Sequence, residues 1–237
     1  MKVISRLVKS LVSNKKYSRK FLDLLTKKQI WDYLGGYRYA SEFVKFAKDG
    51  YDDQLIRNHA LGPKDSILVL GACKGRTTQE WLSRYEAKVF AVEPIPEFVD
   101  ILRSRFGNNS KVEIFPFAVG GNSGEIEFSF DEWSTSSYIH SDKRVLCEQR
   151  DVETFIRTLN PFPKVIELNI EGGEYEVIYK LIETGQIRDI STLLIQFHNY
   201  DLKCEYDRAK IRLLLATTHD CVFNYDWVWE RWEKTDK

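Results

Sequence analysis

The chain has 237 residues, enough for one α/β domain with an N-terminal extension and short for two. Its formal net charge is zero, which excludes a chain that binds nucleic acid through overall basic charge, so no nucleic-acid partner is expected. The four cysteines (Cys73, Cys147, Cys204, Cys221) are scattered, with no C-x-x-C pair. That fits a reducing, cytoplasmic setting and supplies no zinc site.

Charge is unevenly placed. Residues 1–28 carry nine Lys or Arg and one acid, Asp23, which leaves 26 basic against 34 acidic residues in the remainder, a net of −8. Val3, Ile4, Leu7, Val8, Leu11 and Val12 fall on one face at helical spacing. A basic amphipathic helix is expected there, packed on the domain; the alternative is a peripheral contact with a membrane surface. Arg6 and Lys9 interrupt the apolar stretch, which argues against a secretory signal, and no run approaches the ~20 residues a membrane span needs. The division expected is a helical extension over residues 1–60 and an α/β domain over 61–237.

Past the extension, strands and helices alternate. Strands are expected at Ile67–Leu70, Val89–Val92, Val112–Phe117, Val165–Ile170 and Thr192–Phe197. Helices are expected at Thr77–Arg84, Pro96–Phe106, Asp151–Leu159, Tyr175–Thr184 and Tyr206–Thr218. The alternation breaks after Phe117. Val119–Gly124 is turn-rich, Glu125–Phe130 alternates at period two like an added antiparallel strand, and Asp131–Asp142 reads as a polar loop. Cys221–Tyr225 and Trp227–Trp232 are expected to form a closing hairpin, with Tyr225, Trp227 and Trp229 on one face if the strand is continuous. The order predicts a doubly wound, mostly parallel sheet of seven strands, Rossmann-like, with ligands beyond the carboxyl ends of the strands.

Those strand ends hold the informative residues. The first strand stops at Gly71-Ala72-Cys73-Lys74-Gly75 before a helix, so the backbone can approach a ligand and the helix offers unpaired N–H groups. The second strand ends on Glu93, placed to accept hydrogen bonds from a ribose diol. Together they point to an adenosine-containing ligand. The sequence lacks both G-x-G-x-x-G and G-K-[ST], which disfavours NAD and P-loop chemistry. The fourth strand runs into Glu171-Gly172-Gly173-Glu174, with Glu171 on the carboxyl edge and Glu174 in the first helical turn, where the macrodipole favours an acid. The fifth ends at His198-Asn199.

Five segments in order carry a resemblance: V-L-G-A-C-K-G-R-T-T at 69–78, V-E-P-I-P at 92–96, A-V-G-G-N-S-G at 118–124, E-L-N-I-E-G-G-E-Y at 167–175 and Q-F-H at 196–198. Over roughly residues 64–232 the chain resembles the FkbM-type S-adenosylmethionine-dependent methyltransferases. Their typical motifs are D-V-G-A-N-x-G-x-x-S, F-E-P-x-P, A-x-G-x-x-x-G, K-I-D-V-E-G-A-E-Y and E/Q-x-H. The chain departs at Val69 and Asn169, where the family has Asp, and at Cys73, where it has Asn. Two missing acids weaken any carboxylate-held metal, so none is expected.

The resemblance implies a class I methyltransferase fold and the cofactor S-adenosyl-L-methionine, held by Gly71, Ala72, Cys73, Lys74, Gly75, Thr78, Glu93, Pro94, Ala118 and Asn169. It implies methyl transfer to a hydroxyl of a sugar, glycan or glycosylated small molecule. The base is His198, with an ordinary pKa near ~6.5, or else Glu171; Glu174 joins them as support for the helix start. Tyr37, Tyr39 and Phe43 are candidates to close over the cofactor. The competing reading is a methyltransferase-fold binding module without turnover, a partner subunit. Oligomeric state is not legible.

Overall fold

The computed structural model describes residues 41–50, 55–130, 135–136 and 144–235. The basic stretch 1–28, Tyr37, Tyr39 and most of the polar loop 131–142 lie outside those residues. Glu42–Lys237 forms one unit of contacts, and the description concerns that unit.

The apolar run at the first strand is the centre of the fold. In β1 (Ser66–Leu70) every residue is fully buried, which a strand reaches only when both faces of its sheet are covered. Ile67 and Val69 pack to one side with Trp81, Leu102 and Phe106, while Leu68 and Leu70 pack to the other with Ile156, Ile178 and Ile211. Period-two alternation thus serves two cores. Each large aliphatic side chain buried this way contributes about 1.5–3 kcal/mol.

The first core is closed by α1 (residues 41–48), which brings in Phe46, by α2 (Arg76–Arg84) and by α3 (Pro96–Phe106). The second is closed by α4 (Val152–Thr158), α5 (Glu174–Glu183) and α6 (Leu202–Leu215). Between them lie β2 (Lys88–Val92), β3 (Val112–Phe115), β8 (Val165–Leu168), β9 (Thr192–Ile195), β10 (His219–Tyr225) and β11 (Trp229–Lys234). The sheet order is β3-β2-β1-β8-β9-β11-β10, and only β11 runs against the rest. This is the doubly wound, mostly parallel arrangement expected from the alternation, and the class I methyltransferase fold that the resemblance implies. The strand order reverses at β1 and β8, where a crevice opens at their carboxyl ends.

A second sheet stands beside the first. The chain leaves β3 at Phe115 instead of running to Phe117, and β4 (Ala118–Gly120) joins a four-stranded sheet, β4-β7-β5-β6. β5 (Gly124–Phe130) is the expected added strand, β6 spans Thr135–Ser136, and β7 (Arg144–Asp151) is the unexpected antiparallel partner of β5. Ile95, Phe98, Ala118, Phe128 and Cys147 form a third apolar cluster that fixes this sheet against α3.

Helix boundaries follow caps. α4 starts one residue after Asp151, whose side chain accepts the Thr154 N–H, and α6 starts at Leu202 because Asp201 accepts the Cys204 N–H. α6 therefore begins four residues before the start expected at Tyr206. The C-terminal aromatics do not share a strand face. Trp227 sits in the β10–β11 turn with φ 63° and packs in the second core, while Tyr225 and Trp229 pack in the first. Trp227, Trp229 and Trp232 are each at most 6% exposed.

Candidate active site

At the reversal point the two loops nearly touch. A Cβ on Gly71 would stand 2.0 Å from the Asn169 carbonyl oxygen, and Gly71 has φ +84°. Only glycine permits this approach and this backbone together. The Gly71 and Ala72 N–H groups both donate to the Val92 carbonyl, and Asn169 N–H donates to Leu70 O, so all three strand ends are tied to one another. Gly75 caps α2 with φ +80°, and a Cβ there would meet the Phe106 ring at 2.5 Å. Cys73 also takes left-handed backbone, φ 48°, a conformation that Asn tolerates better than Cys. That is a physical reason for the family's Asn at this turn.

A cavity of about 230 Å³ opens above these ends. Of the expected site residues, Gly71, Cys73, Glu93, Pro94, Ala118, Asn169 and Glu171 line it. Ala72 is buried beneath it in the first core. Lys74 reaches over the Phe98 ring, Thr78 lies fully buried on α2, and Gly75 packs on α3. Glu174 and His198 stand behind Glu171 rather than on the wall, and Phe43 is on α1, away from the lining. The structure adds walls that the sequence did not mark: Phe117, Gly120, Ile126, Phe128, Gln149 and Glu176. The period-two pattern over Glu125–Phe130 was the available signal for Ile126 and Phe128. Gln149 lies on β7, which had none.

Glu93 is 3% exposed, and its two oxygens accept the N–H groups of Cys73 (2.8 Å) and Ile95 (3.0 Å). It thereby braces the glycine turn against the start of α3. Burial pushes its pKa up to about 7, against the pull of those two N–H donors.

The other cluster joins β8 to β9. Glu174 is fully buried and accepts from the Gly172 N–H (2.8 Å), the His198 N–H (2.7 Å) and His198 Nδ1 (2.8 Å). On its far side His198 Nε2 lies 3.4 Å from Glu171 Oε2, which also accepts from the Tyr200 hydroxyl at 3.1 Å. Tyr200 stacks on the imidazole, with an interplanar angle of 12°. Burial alone would lower the His198 pKa, but the two flanking carboxylates outweigh it and hold it near about 10. The expected histidine titrating near ~6.5 is therefore corrected: at neutral pH the imidazole is a cation fixed between two acids. Glu171 reaches the cavity from a left-handed backbone, φ 53°, followed by Gly172 at φ 107°. A non-glycine residue held so is strained, and such strain gathers at functional sites.

The donor set fits S-adenosylmethionine. A buried carboxylate ends β2, the glycine turn lies beside it, and Asn169 Oδ1 is a buried acceptor with no partner among the described residues. Among those residues no group of His, Cys, Asp and Glu could hold a metal ion. Nor is any helix among them long and apolar enough to cross a membrane.

A mostly parallel sheet in this order, with a glycine turn after β1 and an acid after β2, defines a class I methyltransferase. The methyltransferase FkbM domain matches residues 70–225, and the chain belongs to that family, with S-adenosylmethionine as its cofactor. A methyltransferase FkbM from Methylobacillus flagellatus KT shares the fold, with a TM-score of 0.53 and 14% identity over 77% of this chain and 47% of that one. In sequence, the chain is 36% identical over 84 residues to a probable ribosomal RNA small subunit methyltransferase A of Methanosarcina barkeri. It is 34% identical over 84 residues to the protein of that name from Methanosarcina mazei. These stretches cover 35% of this chain and only 28% and 29% of those proteins.

Proposed function

We propose that this protein is an O-methyltransferase that methylates a hydroxyl of a sugar, glycan or glycosylated small molecule, with Glu171 as the base. The observation that carries this reading is Glu171 itself, the acid on the cavity wall that a charged histidine and a tyrosine hydroxyl fix in place. S-adenosylmethionine supplies an electrophilic methyl group on a sulfonium. Glu93 would hold its ribose, Gly71 to Gly75 its flank, and Asn169 a polar group beside the reversal point. The protein's remaining task is to align the acceptor, exclude water and take one proton. Glu171 is suited to the last, because His198 and Tyr200 orient it toward one geometry. His198 is suited to positioning rather than proton abstraction, since an imidazolium has no free lone pair.

A hydroxyl acceptor suits this lining. It mixes apolar walls (Phe117, Ile126, Phe128) with hydrogen-bonding groups (Asn169, Glu171, Gln149), and no basic residue among the described ones lines the cavity to meet a phosphate. The ribosomal RNA reading borrowed from the Methanosarcina proteins rests on about a quarter of their length, and among the described residues no basic side chain on the cavity wall supports it. Methyl transfer from labelled cofactor into glycan and rRNA fractions separates the two. Glu171→Gln is expected to cost about 10²–10⁴-fold in turnover, the range for a general base, with S-adenosylhomocysteine affinity unchanged. Full activity in that variant would rule out the assignment.

A further inference from the structure

Sheet order gives the cavity a direction. Passing from β8 through β1 and β2 to β3, the strand ends present Glu171, the glycine turn and Glu93, and the chain just past β3 presents Phe117 and Ala118. Methionine and adenine leave the ribose of S-adenosylmethionine on opposite sides. A cofactor with its ribose on Glu93 and its methionine along the glycine turn therefore has its adenine on the β3 side. Ile126 and Phe128 of β5 and Gln149 of β7 wall that side. Among the described residues that line the cavity between β3 and α4, Gln149 carries the only polar side chain.

The strand bearing Gln149 is tied to the turn that follows Glu93. Val145, Cys147 and Gln149 point inward from β7, and Leu146, Glu148 and Arg150 are exposed. Cys147 Sγ donates to the carbonyl of Pro94, the residue after Glu93, at 3.3 Å. Gln149 lies two residues on along the same face, about 7 Å away. Its amide is fixed in one sense: Nε2 donates to the Asn122 carbonyl at 3.0 Å, so a flip would set Oε1 against that carbonyl. Gly120 makes room for it, since a Cβ there would stand 2.6 Å from the amide. The amide keeps the acceptor Oε1, which no donor among the described residues reaches, and a second N–H.

An acceptor beside a donor is the pattern by which glutamine pairs with adenine, through the exocyclic amine and a ring nitrogen. We propose that Gln149 reads the adenine of the cofactor in this way and so sets its base specificity. The proposal rests on the family's cofactor and is independent of the acceptor's identity. With Gln149 on the base, the acceptor hydroxyl is left to Glu171. Hypoxanthine, with an oxo group in place of the amine, puts two acceptors face to face, and the bond to Asn122 keeps the amide from turning to meet it.

The test measures, by calorimetry on the full chain, the affinity of S-adenosylhomocysteine, of its inosine counterpart, and of its 2′-deoxy counterpart, which keeps the amine. The wild type is expected to bind the inosine form about 10–100-fold more weakly than S-adenosylhomocysteine, the cost of an acceptor left facing an acceptor. Gln149→Ala and Gln149→Leu should each bring that ratio below about 3-fold. The penalty for the 2′-deoxy form, which reports on the ribose, should stay at its wild-type value in both. A wild-type ratio below about 3-fold overturns the proposal without recourse to any variant. So does a ratio that survives in either folded variant, which would give the reading of the base to other groups. Loss of both penalties together overturns it as well, because Gln149 would then brace the whole site and not read the base. Failure of the wild type to bind S-adenosylhomocysteine overturns it at the root.

Discussion

Glu174→Gln is close to isosteric and should be among the most damaging changes near the cavity. The wild-type carboxylate is fully buried and accepts three N–H donors, two from His198 and one from Gly172. An amide has one carbonyl oxygen. If that oxygen faces His198, the NH₂ group confronts the Gly172 N–H, donor to donor. Stranding that donor costs about 1–3 kcal/mol, and exchanging a charged for a neutral acceptor opposite the imidazolium costs about 1–2 kcal/mol more. The sum, about 2–5 kcal/mol, agrees with the ~3–5 kcal/mol typical of breaking a buried ion pair. Urea denaturation at pH 7 measures it, and pH supplies a second check. The folded pKa of His198, raised to about 10, lies above its unfolded value of 6.5, so its stabilisation is complete below about pH 6.5 and lost as pH rises through about 10. The wild type should therefore lose stability over that window, Glu174→Gln should lose less, and the gap between them should narrow. A difference below about 1 kcal/mol at pH 7, or one equal at pH 7 and pH 10, would refute the arrangement.

Two further outcomes concern the cofactor side. Gly71→Ala places a methyl 2.0 Å from the Asn169 carbonyl at φ +84° and must push the β1 and β8 ends apart. The combined backbone strain and overlap should cost about 2–5 kcal/mol in a denaturant melt and weaken S-adenosylhomocysteine binding, and an unchanged midpoint would contradict the close approach. Burial raises Glu93 to about 7, and a ribose diol donates best to its ionised form, so S-adenosylhomocysteine affinity should rise between pH 6 and pH 8. The unliganded protein runs the other way: this raised acid stabilises it fully below the unfolded value of 4.5, and that contribution fades as pH rises through about 7. Glu93→Ala should weaken binding by about 1.5–3 kcal/mol and flatten its pH dependence; retained affinity with the same slope would show that Glu93 only braces the glycine turn.

The sequence alone determined the sheet and its edge. β1 reads as an unbroken apolar run over Ile67–Leu70 because both faces are covered, and the parallel order follows from strands alternating with helices. The turn residues named the ligand edge for a local reason: Gly71 and Gly75 are needed where φ is positive, and acids gather where strands end at helix starts. Tertiary structure decided what depends on distance along the chain. β7 shows little in its own residues, because a half-exposed strand is specified by its partner β5, and so Gln149 went unseen. Trp227 looked like a member of a strand face until the turn at φ 63° sent it to the opposite core. Above all, the charge on His198 is not a property of Q-F-H. It arises because β8 and β9 lie side by side and bring Glu171 and Glu174, 27 and 24 residues upstream, to the two nitrogens of one ring, where Coulomb attraction outweighs the cost of burial.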